Sequence, residues 1–398
     1  MRIRYFADIR FPIERANGVQ TMETCHALAR RGHHVHLVVR PDSAVPARDP
    51  FAYYGLPPVA SLVIERVAVP RQPSARRAVF LVQVFRRTLA ARHVDVIMTR
   101  DLAIASIALR LPAGWRPPIV YESHGFAPAV SAELSALHAH LTPGGAAKLR
   151  RLEARERQVW RDADGYVTIT SGLARELAGR FGDRRRVATV ADGTRLPAPG
   201  PEPPRPARAA GAGPVIGYAG HLYSWKGIDV LIAALGHLPG MQGLVVGGLD
   251  GEPDAARVRA LADRLAPGRV RFTGQVDPPQ VAALIREADV LVIPNLPTRT
   301  STTYTSPLKL FEYMASGRPI VASDLPAFRE VLRPDGNAVL VAPGDEAALA
   351  DGIRRVVTDG ALAARIAAQA KADVTGYSWD KRAERLEAVL AAAAGSAA

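Results

Sequence analysis

Two cations and a carboxylate in the second half of the chain have the spacing of a site for phosphate and ribose. Residues 306–323 read SPLKLFEYMASGRPIVAS. Ser306 and Pro307 form a helix start, because proline lacks only an N–H that goes unpaired in a first turn. Leu308, Phe311 and Met314 recur at helical spacing and are expected to face a core, with Glu312 off that stripe. Lys309 in the first turn, beside free N–H groups, makes a ready anion site. One turn on, Glu312 can take two vicinal hydroxyls. Upstream, residues 219–227 read AGHLYSWKG between a strand and the helix IDVLIAALGHL. Lys226 therefore stands where a loop feeds a helix N-terminus, placed to meet a phosphate as a compact charge.

A second set lies in the first half. Residues 121–125, YESHG, end an apolar run and bring Glu122 and His124 to the carboxyl edge of a strand. A carboxylate and an imidazole two residues apart can orient sugar hydroxyls or shuttle protons. A metal needs a third ligand, and none is convincing: His138 and His140 fit no tetrahedral spacing.

The elements that position these groups follow from periodicity. At 398 residues the chain is too long for one ordinary core and divides into two α/β halves. Strand–loop–helix–strand order begins at once, with a helix over 19–31 ended by Gly32 and a second strand at 33–39. No G-x-G-x-x-G accompanies it, which argues against a dinucleotide fingerprint. Residues 197–214 are the richest Pro/Gly/Ala run and read as a linker. The expected division is 1–195, a linker at 196–214, 215–376, and a last helix over 377–398. Residues 126–145 read as a mobile acceptor-side segment, 148–163 as a basic solvent-facing helix, and 296–305 as a polar loop. Ser171 is the expected N-cap of the helix after 165–170.

The composition, 48% hydrophobic and 22% charged, is that of a globular protein. A net charge of +13 suits anionic partners: nucleotide phosphates, an anionic membrane surface or nucleic acid. No aromatic-basic interleaving or known module supports nucleic acid. The single cysteine, Cys25, excludes a disulfide framework within one chain and favours a reducing cytoplasm. The opening MRIRYFADIR reads as a strand rather than a signal peptide, and no apolar run approaches a membrane span.

The 306–323 segment closely resembles the C-terminal signature of the family four (group 1) retaining glycosyltransferases. Their GT-B fold implies two facing Rossmann-like domains with an interdomain cleft. The resemblance is specific over 215–331 and looser over 1–195. It implies that Glu312 binds a ribose and that the N–H groups around Ser306, Pro307 and Leu308, with Lys309, hold a pyrophosphate. Lys226 and Gly227 match the family's Lys-Gly. His221 stands where an arginine is common, and neutral His offers one hydrogen bond rather than a fork. Tyr304 replaces the first glutamate of the usual Glu-x7-Glu, and Asp192 an asparagine. The turn at Gly18 resembles the glycine loop near the donor phosphate, and groups after Gly274, at Val276, meet the base. E-x-H-G implies that His124 contacts the transferred sugar, with Glu122 beside it.

The implied reaction moves a sugar from a nucleotide diphosphate donor to an acceptor hydroxyl with retention, with no cofactor and no obligatory metal. The acceptor would be a glycan, a lipid-linked molecule or a small molecule, with peripheral contact at the inner face of an anionic membrane a further expectation. Bacterial polysaccharide biosynthesis is the setting this implies. A nucleotide-sugar epimerase or hydrolase of the same fold is the rival enzyme, and a scaffold that kept the fold is the non-catalytic rival.

Overall fold

The computed structural model describes residues 1–137, 145–198, 200, 211, 213–248, 251 and 253–395. The linker run and the stretch with His138, His140 and 142–144 lie largely or wholly outside the described residues. The chain folds as two compact units, Met1–Asp192 with Trp379–Ala398, and Gly193–Ser378.

The first unit is built on seven parallel strands: β1 (Arg2–Arg10), β2 (His34–Arg40), β3 (Leu62–Arg66), β4 (Val96–Thr99), β5 (Ile119–Ser123), β6 (Gly165–Thr168) and β7 (Val187–Thr189). Their order is β3-β2-β1-β4-β5-β6-β7. The order reverses at β1, so the crevice for a ligand opens beyond the carboxyl ends of β1 and β4. Every residue of β4 and β5 is buried, as expected of central strands covered on both faces. Side chains such as Ile97 and Ile119, fully buried, each contribute roughly 1.5–3 kcal/mol by leaving water. The last helix, Trp379–Ala394, belongs to this unit and packs on the helix Ala16–Arg30 and on β5 and β6.

The second unit carries β8 (Val215–Ala219), β9 (Gln242–Val246), β10 (Val270–Phe272), β11 (Val290–Ile293), β12 (Ile320–Ser323) and β13 (Val339–Val341). The order β10-β9-β8-β11-β12-β13 is again parallel, with its reversal at β8. One core joins Tyr218, Ile228, Leu231 and Ile232 with Val292 and Val321 from the sheet and Ile353 from a later helix.

Several local expectations need correction. Residues Ala127–Leu137 are a helix, begun where the buried Glu156 carboxylate accepts from the Ala127 N–H at 3.0 Å. The polar loop before Ser306 contains a short helix, Arg299–Thr303, capped by the Thr298 hydroxyl. Thr170, not Ser171, caps Ser171–Phe181, its hydroxyl accepting from Leu173 N–H at 3.2 Å. The helix after Pro307 is Leu308–Ala315, with Pro307 at the N-cap. Its buried face is Leu310, Phe311, Tyr313 and Met314, while Leu308 is half-buried.

Candidate active site

In the second unit the functional side chains arrive on three loops at the carboxyl ends of β8, β10 and β11–β12. Helix Leu308–Ala315 is fixed to the end of β8 by Tyr313, whose hydroxyl accepts from the Ala219 N–H at 2.6 Å. That anchor lays the Lys309 ammonium on the ring of Tyr218, 3.8 Å from its centroid. Gly220 has a φ of 133°, which L side chains rarely adopt, and it brings the β8 loop beside this cation: a Cβ there would stand 3.2 Å from Lys309 Nζ. Lys226 rises from the same loop over the ring of Trp225, at 3.9 Å. Gly227, buried, then opens the helix Ile228–Gly236.

These cations share one neighbourhood. Burial, then the positive charge of Lys226, press the Lys309 ammonium well below its ordinary range, and Glu312 opposes them. Burial alone pushes Lys226 down to about 8. Lys309 Nζ is buried and has no hydrogen-bond partner among the described residues. A buried ammonium in that state is held against a desolvation penalty of several kcal/mol, which an anion would offset. Lys226, Lys309 and Glu312 are therefore brought together.

Other expected donor-side residues take different positions. His221 stacks on Tyr223 at 5.1 Å, and its carbonyl accepts from the Tyr218 hydroxyl at 2.6 Å. Tyr304 is buried and ends the short helix, while Ser306 and Pro307 stay half-buried at the start of the next. Gly274 is buried, with its carbonyl accepting from the Gly247 N–H at 3.1 Å, and Val276 is half-buried beyond it. Gly18, expected in a phosphate loop, lies inside the first turn of Ala16–Arg30. A Cβ there would collide with the Tyr54 hydroxyl, so packing already requires the glycine.

In the first unit Glu122 and His124 meet at the end of β5, and the Glu122 carboxylate is fully buried. Its Oε1 accepts from His124 Nε2 at 2.5 Å, Gln20 Nε2 at 2.5 Å and Arg382 Nη2 at 2.7 Å. Burial alone would raise its pKa; Arg382, His124 and Arg100 outweigh burial and hold it well below the carboxylate range. Arg100 reaches the same group through Gln20, donating to its Oε1 at 2.7 Å. Its neighbour Asp101 caps the helix Leu102–Ala108 and pairs with Arg77 at 3.3 Å. Arg382 Nε lies 3.6 Å from Asp192 Oδ1. Burial and Arg100 lower the His124 pKa against the pull of Glu122.

Arg382 and Gln20 are the members that sequence reasoning missed. A signal existed for Arg382: it falls on the buried stripe of its helix, four residues before Leu386 and eight before Leu390. An arginine on such a stripe needs a buried partner.

Comparison with known proteins decides the family. Residues 17–193 match the glycosyl transferase 4-like domain, and residues 213–359 the glycosyl transferases group 1 domain. A D-inositol 3-phosphate glycosyltransferase of Xylanimonas cellulosilytica is 30% identical over 94% of this chain and 91% of its own length. This chain belongs to the family four (group 1) glycosyltransferases. A phosphatidyl-myo-inositol mannosyltransferase of Mycobacterium tuberculosis is 40% identical over 44% of this chain and 45% of its own. Among solved structures, sucrose-phosphate synthase of Thermosynechococcus elongatus superposes with a TM-score of 0.74 at 21% identity, over 98% of both chains. Anabaena HepE in complex with UDP-glucose gives 0.71 at 19% identity, over 98% of this chain and 99% of its own. The glycosyltransferase is thus a GT-B protein with two Rossmann-like domains, as the signature at 306–323 implied. Among the described residues no helix is long and apolar enough to cross a membrane.

Proposed function

We propose that this glycosyltransferase moves a sugar from a nucleotide diphosphate donor to an acceptor hydroxyl, with the anomeric configuration retained. The observation that carries the reading is the Lys226–Lys309–Glu312 cluster, two desolvated ammonium groups beside a carboxylate at the end of a nucleotide-type sheet. In this reading the ammonium groups and the start of helix Leu308–Ala315 stabilise the leaving diphosphate electrostatically. Glu312 accepts from the ribose hydroxyls, and His124 meets a hydroxyl of the transferred sugar. The bond from the anomeric carbon to the diphosphate oxygen breaks, the acceptor oxygen bonds on the same face, and its proton passes to the leaving phosphate oxygen. The cationic charge needed by the leaving group then comes from this chain itself, without an obligatory metal.

The names of the relatives favour a polyol phosphate or an inositol lipid as acceptor over a growing glycan, and an acceptor of the latter kind would bring the enzyme to a membrane surface. A panel of uridine, guanosine and adenosine diphosphate sugars, read by thermal shift, tests the donor, since a bound donor raises the unfolding temperature. Donor turnover with and without myo-inositol phosphate separates transfer from hydrolysis or epimerisation. A panel with no shift for any donor would overturn the reading.

A further inference from the structure

The polar groups around Glu122 come from five separate segments, and their hydrogen bonds permit only one arrangement of protons. Glu122 is fully buried on β5, with Arg382 from the last helix, also fully buried, against it. Gln20 arrives from the helix after β1, Arg100 from the end of β4, and Asp192 from the turn after β7. Arg382 retains its charge despite burial because Glu122 and Asp192 both favour it. An ionised carboxylate only accepts, so each of the three nitrogens on Glu122 Oε1 must carry its proton toward that oxygen. For Gln20 this is consistent with its other end, where Oε1 accepts from Arg100. For His124 it puts the hydrogen on Nε2. Burial and Arg100 keep the ring neutral near pH 7, which leaves Nδ1 as an acceptor.

We propose that Arg382 is a positioning residue for His124: by fixing the Glu122 carboxylate it holds the imidazole as the Nε2–H tautomer, so that Nδ1 accepts a hydrogen bond from a ligand hydroxyl. A carboxylate behind a histidine sets tautomer and ring orientation in this way. The chain thereby makes its last helix part of the site. A helix added after the second unit supplies the guanidinium that orders a side chain at the end of β5. The identity of the hydroxyl rests on the reading of function above. The tautomer and its dependence on Arg382 do not, and the test addresses those.

The test is a long-range nitrogen–proton NMR titration of the full chain labelled with 15N-histidine and without ligand. His124→Gln identifies the His124 signals by difference. The wild-type chain is expected to show neutral Nε2–H at pH 7. In Arg382→Gln the Glu122 and Asp192 charges lose their compensating cation, so His124 should protonate more readily. Its midpoint should rise by about one pH unit, with the second tautomer populated. Arg382→Lys keeps the charge and should restore the midpoint most of the way. Leu386→Ala, on the same buried stripe, should lower the unfolding temperature without moving the His124 signals. An Nδ1–H tautomer or an imidazolium in the wild-type chain at pH 7 would overturn the proposal. So would an Arg382→Gln titration identical to wild type, which is what a merely structural arginine gives. The wild-type spectrum decides the tautomer even if Arg382→Gln fails to fold.

Discussion

The two polar clusters of this enzyme handle buried charge in opposite ways. Around Glu122 the charges are matched: one carboxylate oxygen receives an imidazole, an amide and a guanidinium, and a second carboxylate faces the same guanidinium. Around Lys309 they are not. Two ammonium groups share a neighbourhood, each resting on an aromatic face, and one has no hydrogen-bond partner among the described residues. In the first cluster opposite charges face each other, although Glu122 Oε2 and Arg382 Nη1 make no hydrogen bond among the described residues; in the second, like charges face each other until an anion arrives. In the proposed function the first cluster orients and the second meets ligand charge.

The largest effects should come from breaking the matched cluster. Arg382→Met takes from Glu122 and Asp192 the buried guanidinium that lies against both and is expected to remove about 3–5 kcal/mol of stability in urea unfolding. Lys309→Met should do the reverse in the ligand-free enzyme and stabilise it by about 1–3 kcal/mol, because a buried ammonium that faces a second cation disappears. Equal signs for the two substitutions would break the contrast. Glu156 lies between these cases, a buried carboxyl whose donors among the described residues are the Ala127 N–H and the Tyr166 hydroxyl. Burial pushes its pKa up to about 7. The protonated form is therefore favoured by folding, and stability is lost as pH rises from about 4.5 through 7. Glu156→Gln should be more stable than wild type by about 3 kcal/mol at pH 8, with no advantage at pH 4.

Effects on binding are of similar size to that of Lys309→Met. Lys226→Ala and Lys309→Ala should each weaken a nucleoside diphosphate by about 1.5–3 kcal/mol, read by calorimetry. The same affinity should fall about tenfold between pH 7 and 9, because an ammonium with a midpoint of about 8 loses its charge over that range. Affinity that rises with pH would contradict a cation-held phosphate.

Much of this was legible in the sequence where one short segment holds the whole signal. The run SPLKLFEYM contains its anion site and its carboxylate within seven residues, so the family and the Lys309–Glu312 pair could be read directly. The central strands were equally plain, because burial on both faces makes them continuously apolar. Local helix starts were less so: Thr170 and Ser171 are chemically equivalent caps, and only backbone geometry chooses between them. The helix Ala127–Leu137 was hidden by its glycine- and proline-rich continuation. Gly18 misled because a tight phosphate turn and a close contact with Tyr54 both demand the absence of a side chain. The Glu122–Arg382 pair spans 260 residues, and no local pattern links its partners.

The central claim is that Lys226, Lys309 and Glu312 hold one nucleoside diphosphate. Isothermal titration of wild type, Lys226→Ala and Glu312→Ala with the nucleoside diphosphate that most raises the unfolding temperature tests it most directly. The account predicts at least a tenfold loss of affinity in each variant, with both still folded. Wild-type affinity in both would contradict it.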